Sequence, residues 1–116
     1  MQIQAEVVTI DEGPPVVIGF ADNDNLPVNY LLLQYDPAEQ DGLYIETNDQ
    51  QRSGYNLVQR VQLAADVATI ELTPTGAQVL KVGSRITITI SSRIKGWASL
   101  KTKLVQLLGR VVPVEV

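Results

Sequence analysis

The chain has no cysteine and no histidine among its 116 residues. Disulfides, thiol nucleophiles, imidazole acid–base catalysis and zinc ligation through imidazole or thiolate are therefore excluded by inventory. Aromatic residues make up only 5% of the chain: four tyrosines, one tryptophan and one phenylalanine. No apolar run reaches the roughly 18 residues of a membrane helix, and no basic segment leading into a short apolar one opens the chain. Neither a membrane span nor a secretory leader is read, so a cytoplasmic location is expected. Glycine-rich phosphate cradles of the G-x-x-x-x-G-K-S/T or G-x-G-x-x-G kind are also missing, which leaves nucleotide binding without a motif. No cofactor and no resident metal are expected.

What is present suits a single core. Hydrophobic residues account for 45% of the chain and charged ones for 19%, enough to bury one interior and not two, so one domain over residues 1–116 is expected. The net charge of −4 is unevenly placed. Residues 1–80 carry twelve acids against Arg52 and Arg60, and residues 81–116 carry seven bases against Glu115. Two readings follow: the segments neutralise one another across the fold, or an acidic face is offered to a basic partner. Nucleic acid is not expected as a partner, because phosphate binding needs a basic surface.

Hydrophobic periodicity places the elements. Ile3–Ile10 and Val16–Ala21 read as strands around the turn residues Asp11 to Pro15. Tyr30–Tyr35 is apolar on both parities, which predicts a central strand covered on both faces. Leu43–Thr47 alternates and reads as a half-buried strand, Asn48–Gly54 as a polar loop, and Tyr55–Leu63 with Val67–Leu72 as a hairpin. Thr73-Pro74 opens a short helix that stops at Lys81-Val82-Gly83, the threonine capping and the proline sitting where its missing N–H costs nothing. Arg85–Ser91 alternates Ile86, Ile88 and Ile90 with threonines. Trp97, Leu100, Leu104, Leu107 and Leu108 form the apolar stripe of a longer helix ending at Gly109. Val111–Val116 reads as an edge strand or an ordered tail. The predicted fold is α+β: a largely antiparallel sheet of about six to seven strands, with a short helix and a longer C-terminal helix packed on one face. With Ile45, Val61, Ile70 and Ile88 inward, the opposite polar face carries Tyr44, Glu46, Arg60 and Glu71.

Few constellations carry chemistry. Ser92 and Lys95 match S-x-x-K without its companion elements. Asp22 and Asp24 begin like a calcium loop, but the required glycine and final glutamate fall on Pro27 and Leu33. A carboxylate pair for glycoside hydrolysis would come from Glu46, Asp49 and Glu71, and nothing marks a pair. The polar and aromatic set Tyr30, Gln34, Tyr44, Glu46, Asn48, Asp49, Gln50 and Tyr55 is better suited to contact, since tyrosine combines area with a hydrogen-bonding tip and carboxylates steer a basic partner.

Tyr30-Leu31-Leu32-Leu33-Gln34, Glu39-Gln40-Asp41, Leu43-Tyr44-Ile45-Glu46, Asn48-Asp49-Gln50 and Ser53-Gly54-Tyr55 together resemble the Imm10 family of bacterial immunity proteins. The similarity continues through Val58–Leu63, Ala68–Thr73, the helix from Pro74 to Leu80, Ile86–Ile90 and the helix Leu100–Leu108. The resemblance implies a non-catalytic antitoxin of a polymorphic toxin system that binds a cognate protein toxin and blocks its active site or an adjacent exosite. The expected partner-binding residues are Tyr44, Glu46, Asn48, Asp49, Gln50 and Tyr55. The alternatives are an assembly module that forms a homo-oligomer through Val111–Val116, and a small carboxylate hydrolase.

Overall fold

The computed structural model describes residues 1–116 as ten strands and two helices. In chain order these are β1 Gln2–Ala5, β2 Val7–Asp11, β3 Val16–Ala21, β4 Tyr30–Tyr35, β5 Tyr44–Thr47, β6 Asp49–Tyr55, β7 Val58–Leu63, β8 Val67–Leu72, α1 Pro74–Leu80, β9 Arg85–Ile90, α2 Trp97–Leu108 and β10 Val114–Glu115. The α+β class holds, but the strands form two five-stranded sheets instead of one sheet of six to seven. One is an antiparallel meander, β2-β3-β4-β5-β6. The other is mixed, β1-β9-β8-β7-β10, with β1 parallel to β9 and β10 parallel to β7.

Three segments account for the difference. The run Ile3–Ile10 changes sheets at Glu6: Ala5 O accepts the Ser91 N–H at 2.9 Å on one side, and the Glu6 N–H donates to Ala21 O at 2.9 Å on the other. One alternating run thus supplies an edge to each sheet, as happens at the corners of packed sheets. The run Tyr55–Leu63 breaks at Asn56, which has φ 60°, and the next residue, Leu57, is buried. Finally, most of the segment expected as a polar loop is β6; as the outer strand of its sheet it buries none of its side chains, so its sequence is polar without being irregular.

Alternation assigns the faces. Val16, Ile18 and Phe20 of β3, Leu31, Leu33 and Tyr35 of β4, and Ile86, Ile88 and Ile90 of β9 all point into one cluster of 24 buried residues drawn from both sheets. The helices complete this interior. Thr73 Oγ1 accepts the Gly76 N–H at 3.0 Å, capping α1 as expected, and Lys81 ends the helix in the left-handed conformation. On α2, Leu104, Leu107 and Leu108 are buried. The Trp97 indole N–H donates to Ala65 O at 2.8 Å, in the β7–β8 turn, and the Tyr35 hydroxyl donates to Leu107 O at 2.7 Å, at the end of β4. The helix therefore bridges the two sheets and closes the core between them; it does not lie across a sheet face.

Two expectations change as a result. β4 is the middle strand of its sheet, yet only one of its faces is covered: Tyr30, Leu32 and Gln34 are half-buried on the outside. The single polar face divides in two, with Tyr44 and Glu46 on the meander sheet and Arg60 and Glu71 on the mixed sheet. The C-terminal tail is an ordered edge: Pro113 O accepts the Val61 N–H at 3.0 Å, and Glu115 binds Arg60 and Gln62.

Candidate functional site

The outer face of the meander sheet is built by strand register. Gln34 lies beside Tyr44 and Tyr44 beside Tyr55, forming one row across β4, β5 and β6. The next row runs from Gly19 through Leu32 and Glu46 to Ser53. Tyr30 stands two residues along β4 from Leu32, on the same face. Glu46 sits at the centre and is only 8% exposed. One of its carboxylate oxygens accepts the Tyr30 hydroxyl at 2.5 Å and the other accepts the Tyr44 hydroxyl at 2.6 Å. The Tyr44 and Tyr55 rings pack with centroids 5.3 Å apart and planes tilted by 56°, a favourable aromatic arrangement.

The carboxylate holds the protons on its neighbours. Burial, reinforced by the hydrogen bond to Glu46, pushes the Tyr30 hydroxyl up to about 12. The hydrogen bond to Glu46 is the main cause of the upward shift at Tyr44. Losing either proton would set a phenolate against the carboxylate, which adds to burial at Tyr30 and leads at Tyr44. A shallow cavity of about 340 Å³ opens above this group, lined by Leu32, Gln34, Tyr44, Glu46, Gln50 and Tyr55. A second, of about 300 Å³, shares Leu32 and continues beneath the β3–β4 loop, past Tyr30 and Pro27. Gly19 lines it as well, and a Cβ there would come within 2.8 Å of Thr9 Oγ1.

The expected partner-binding residues fall into two groups. Tyr44, Glu46, Gln50 and Tyr55 converge on the first cavity. Asn48 links β5 to β6 beside it, and Asp49 opens β6. Asn48, at φ 57°, accepts the Tyr30 N–H on its side-chain oxygen at 2.7 Å and donates to Asn29 Oδ1 at 3.0 Å, tying the turn to the start of β4. Asp49 accepts the Gln51 N–H at 2.9 Å and is exposed. Sequence reasoning missed Leu32 and Gly19, the apolar floor. The signal lies in the double apolar parity of Tyr30–Tyr35, which marks an apolar outer face as well as a covered one. It also missed Leu26 and Val28, large apolar side chains 83% and 79% exposed on the β3–β4 loop.

Other constellations come apart. Glu71 is on the opposite sheet, bound by Arg60 and within 3.8 Å of Arg85, so it shares no cleft with Glu46 and Asp49. Ser92 and Lys95 are both exposed. Asp22 closes its own loop, accepting the Val28 and Asn29 N–H groups at 3.0 and 3.1 Å. No three acidic side chains converge as metal ligands. Charge follows the architecture. The meander sheet and its turns, residues 7–55, hold Asp11, Glu12, Asp22, Asp24, Asp36, Glu39, Asp41, Glu46 and Asp49 against Arg52 alone. Of these acids only Glu12 has an ion-pair partner, Lys103 at 3.0 Å.

No curated protein and no solved structure matches this chain. A protein-family model described as Immunity protein 10 matches residues 4–96, which include every strand of the tyrosine-bearing sheet and, of the mixed sheet, β7, β8, β9 and the second half of β1. The C-terminal helix, part of the resemblance read from sequence, lies beyond the matched residues. With most of its length matched, including the whole face on which the candidate residues converge, the chain belongs to the Immunity protein 10 (Imm10) family.

Proposed function

We propose that this protein is a non-catalytic immunity protein that binds a cognate bacterial toxin in the cytoplasm and covers the toxin's active site or an adjacent exosite with the outer face of the meander sheet. The observation that carries the reading is that neither helix covers this face, while two tyrosines on it are already fixed to one carboxylate and a third packs on the ring of one of them. Side chains ordered before contact lose little entropy on binding, and tyrosine is among the residues in which interface energy concentrates. The unpaired carboxylates around the face favour a basic partner and a fast encounter with it.

Co-expression with the product of the adjacent upstream reading frame is the test. A co-purifying complex and restored growth are expected, and the absence of both would refute the proposal. Tyr55→Ala removes a ring that is 48% exposed and leaves the core intact. It should weaken the complex by about tenfold or more, measured by titration calorimetry.

A further inference from the structure

The cavity above Glu46 is specific about what it accepts. Both tyrosine protons nearest it are committed to the carboxylate, at 2.5 and 2.6 Å. The free lone pairs of those hydroxyls and of the carboxylate can then only accept hydrogen bonds. An incoming carboxylate or phosphate would meet the Glu46 charge, with only the neutral amides of Gln34 and Gln50 and the Tyr55 hydroxyl as donors, whereas a donor-rich cation would meet the carboxylate and the acceptor lone pairs around it. No lysine or arginine lines the cavity, and Glu46 has no cationic partner within the molecule. Its charge is held at 8% exposure, where an ion pair is screened less by water than one on an open surface. The tilted rings of Tyr44 and Tyr55 add π-faces at the side of the cavity.

We propose that this cavity receives an arginine side chain of the partner, its guanidinium bonded to Glu46 and stacked on the tyrosine rings. The inference rests on the toxin-binding reading for the source of that arginine. Arginine fits better than lysine because its planar group stacks on aromatic rings, carries five donors in a fixed fork and is more weakly hydrated than an ammonium. The acidic character of residues 7–55 adds long-range attraction for such a residue.

The probe is N-acetyl-arginine amide, titrated into the full chain and followed by two-dimensional amide NMR, with the isosteric, uncharged citrulline derivative as the control. Saturable shifts at Leu32, Tyr44, Gln50 and Tyr55 are expected, with the arginine compound binding at least about tenfold more tightly than citrulline. Glu46→Gln should erase that preference; its amide can accept one tyrosine proton and donate to the other hydroxyl, so both tyrosines stay paired. Gln50→Lys, an exposed substitution at the rim, should weaken arginine binding by like-charge repulsion without touching the core. Equal binding of the two compounds, or shifts confined to other surfaces, would overturn the proposal. In the co-expressed complex, growth rescue with affinity unchanged by Glu46→Gln and Gln50→Lys would remove the arginine pocket and leave toxin binding standing. If no complex forms at all, the toxin-binding reading falls, and the arginine titration decides the pocket's selectivity by itself.

Discussion

At the scale of single residues, the tyrosine–carboxylate group makes a claim about pH. Tyr30 and Tyr44 both favour the protonated hydroxyl in the folded protein, Tyr30 up to about 12. The folded chain therefore binds more protons than the unfolded chain between pH of about 10, the ordinary tyrosine value, and about 12. The stability these groups contribute is whole below about pH 10 and is lost as pH rises through that window. Thermal melts across it should show the decline, and absorbance titration should show late-ionising tyrosines that move earlier in Glu46→Gln. A melting temperature unchanged between pH of about 9 and about 12 would contradict this. Thr47 supplies a second residue-scale test. Its hydroxyl is fully buried without a partner, so Thr47→Val should stabilise the fold by about 1 kcal/mol in urea denaturation. The period-2 pattern of Leu43–Thr47 was enough to put Tyr44 and Glu46 outward together. It could not show that Glu46 is enclosed, because the enclosing Tyr30 is 16 residues away and arrives only through strand register.

At the scale of elements, α1 shows how tertiary contact overrides helix propensity. Alanine normally stabilises a helix over glycine by about 1 kcal/mol. At residue 76 a Cβ would lie 2.4 Å from Leu57 O, a carbonyl already accepting the Thr73 N–H at 2.9 Å. Gly76→Ala should therefore cost about 1–3 kcal/mol net in chemical denaturation. A gain in stability would show that the approach of α1 to the β6–β7 link is looser than described. The elements with a strong signal were legible: both helices, the cap at Thr73, and the strands whose isoleucines and leucines alternate. The sheet count was not. Alternation fixes which side chains share a face within a strand, but it does not say whether a run keeps one hydrogen-bonding neighbour or changes it partway, as Ile3–Ile10 does at Glu6. Likewise β6 gave no apolar signal, since an outer strand can form with its side chains in water.

At the scale of the whole molecule, the segregation of charge along the sequence becomes segregation in space. The basic C-terminal part contributes α2 and β9, and the ion pairs of its lysines and arginines reach only Glu6, Glu12 and Glu71. The meander sheet keeps most of its carboxylates unpaired, so the acidic-face alternative describes it better than mutual neutralisation does. Association with a basic toxin should consequently slow by about tenfold between about 0.01 M and about 0.1 M salt, as the screening length falls from about 30 to about 10 Å. Stopped-flow fluorescence would measure it, and a rate indifferent to salt would remove electrostatic steering from the account. The central claim is that the uncovered tyrosine-bearing sheet is the surface that meets the toxin. Amide hydrogen exchange on the purified complex tests it most directly: the account predicts slowed exchange across Tyr30–Tyr35 and Tyr44–Tyr55 with β7, β8 and β9 unchanged, whereas slowed exchange on the mixed sheet alone would contradict it.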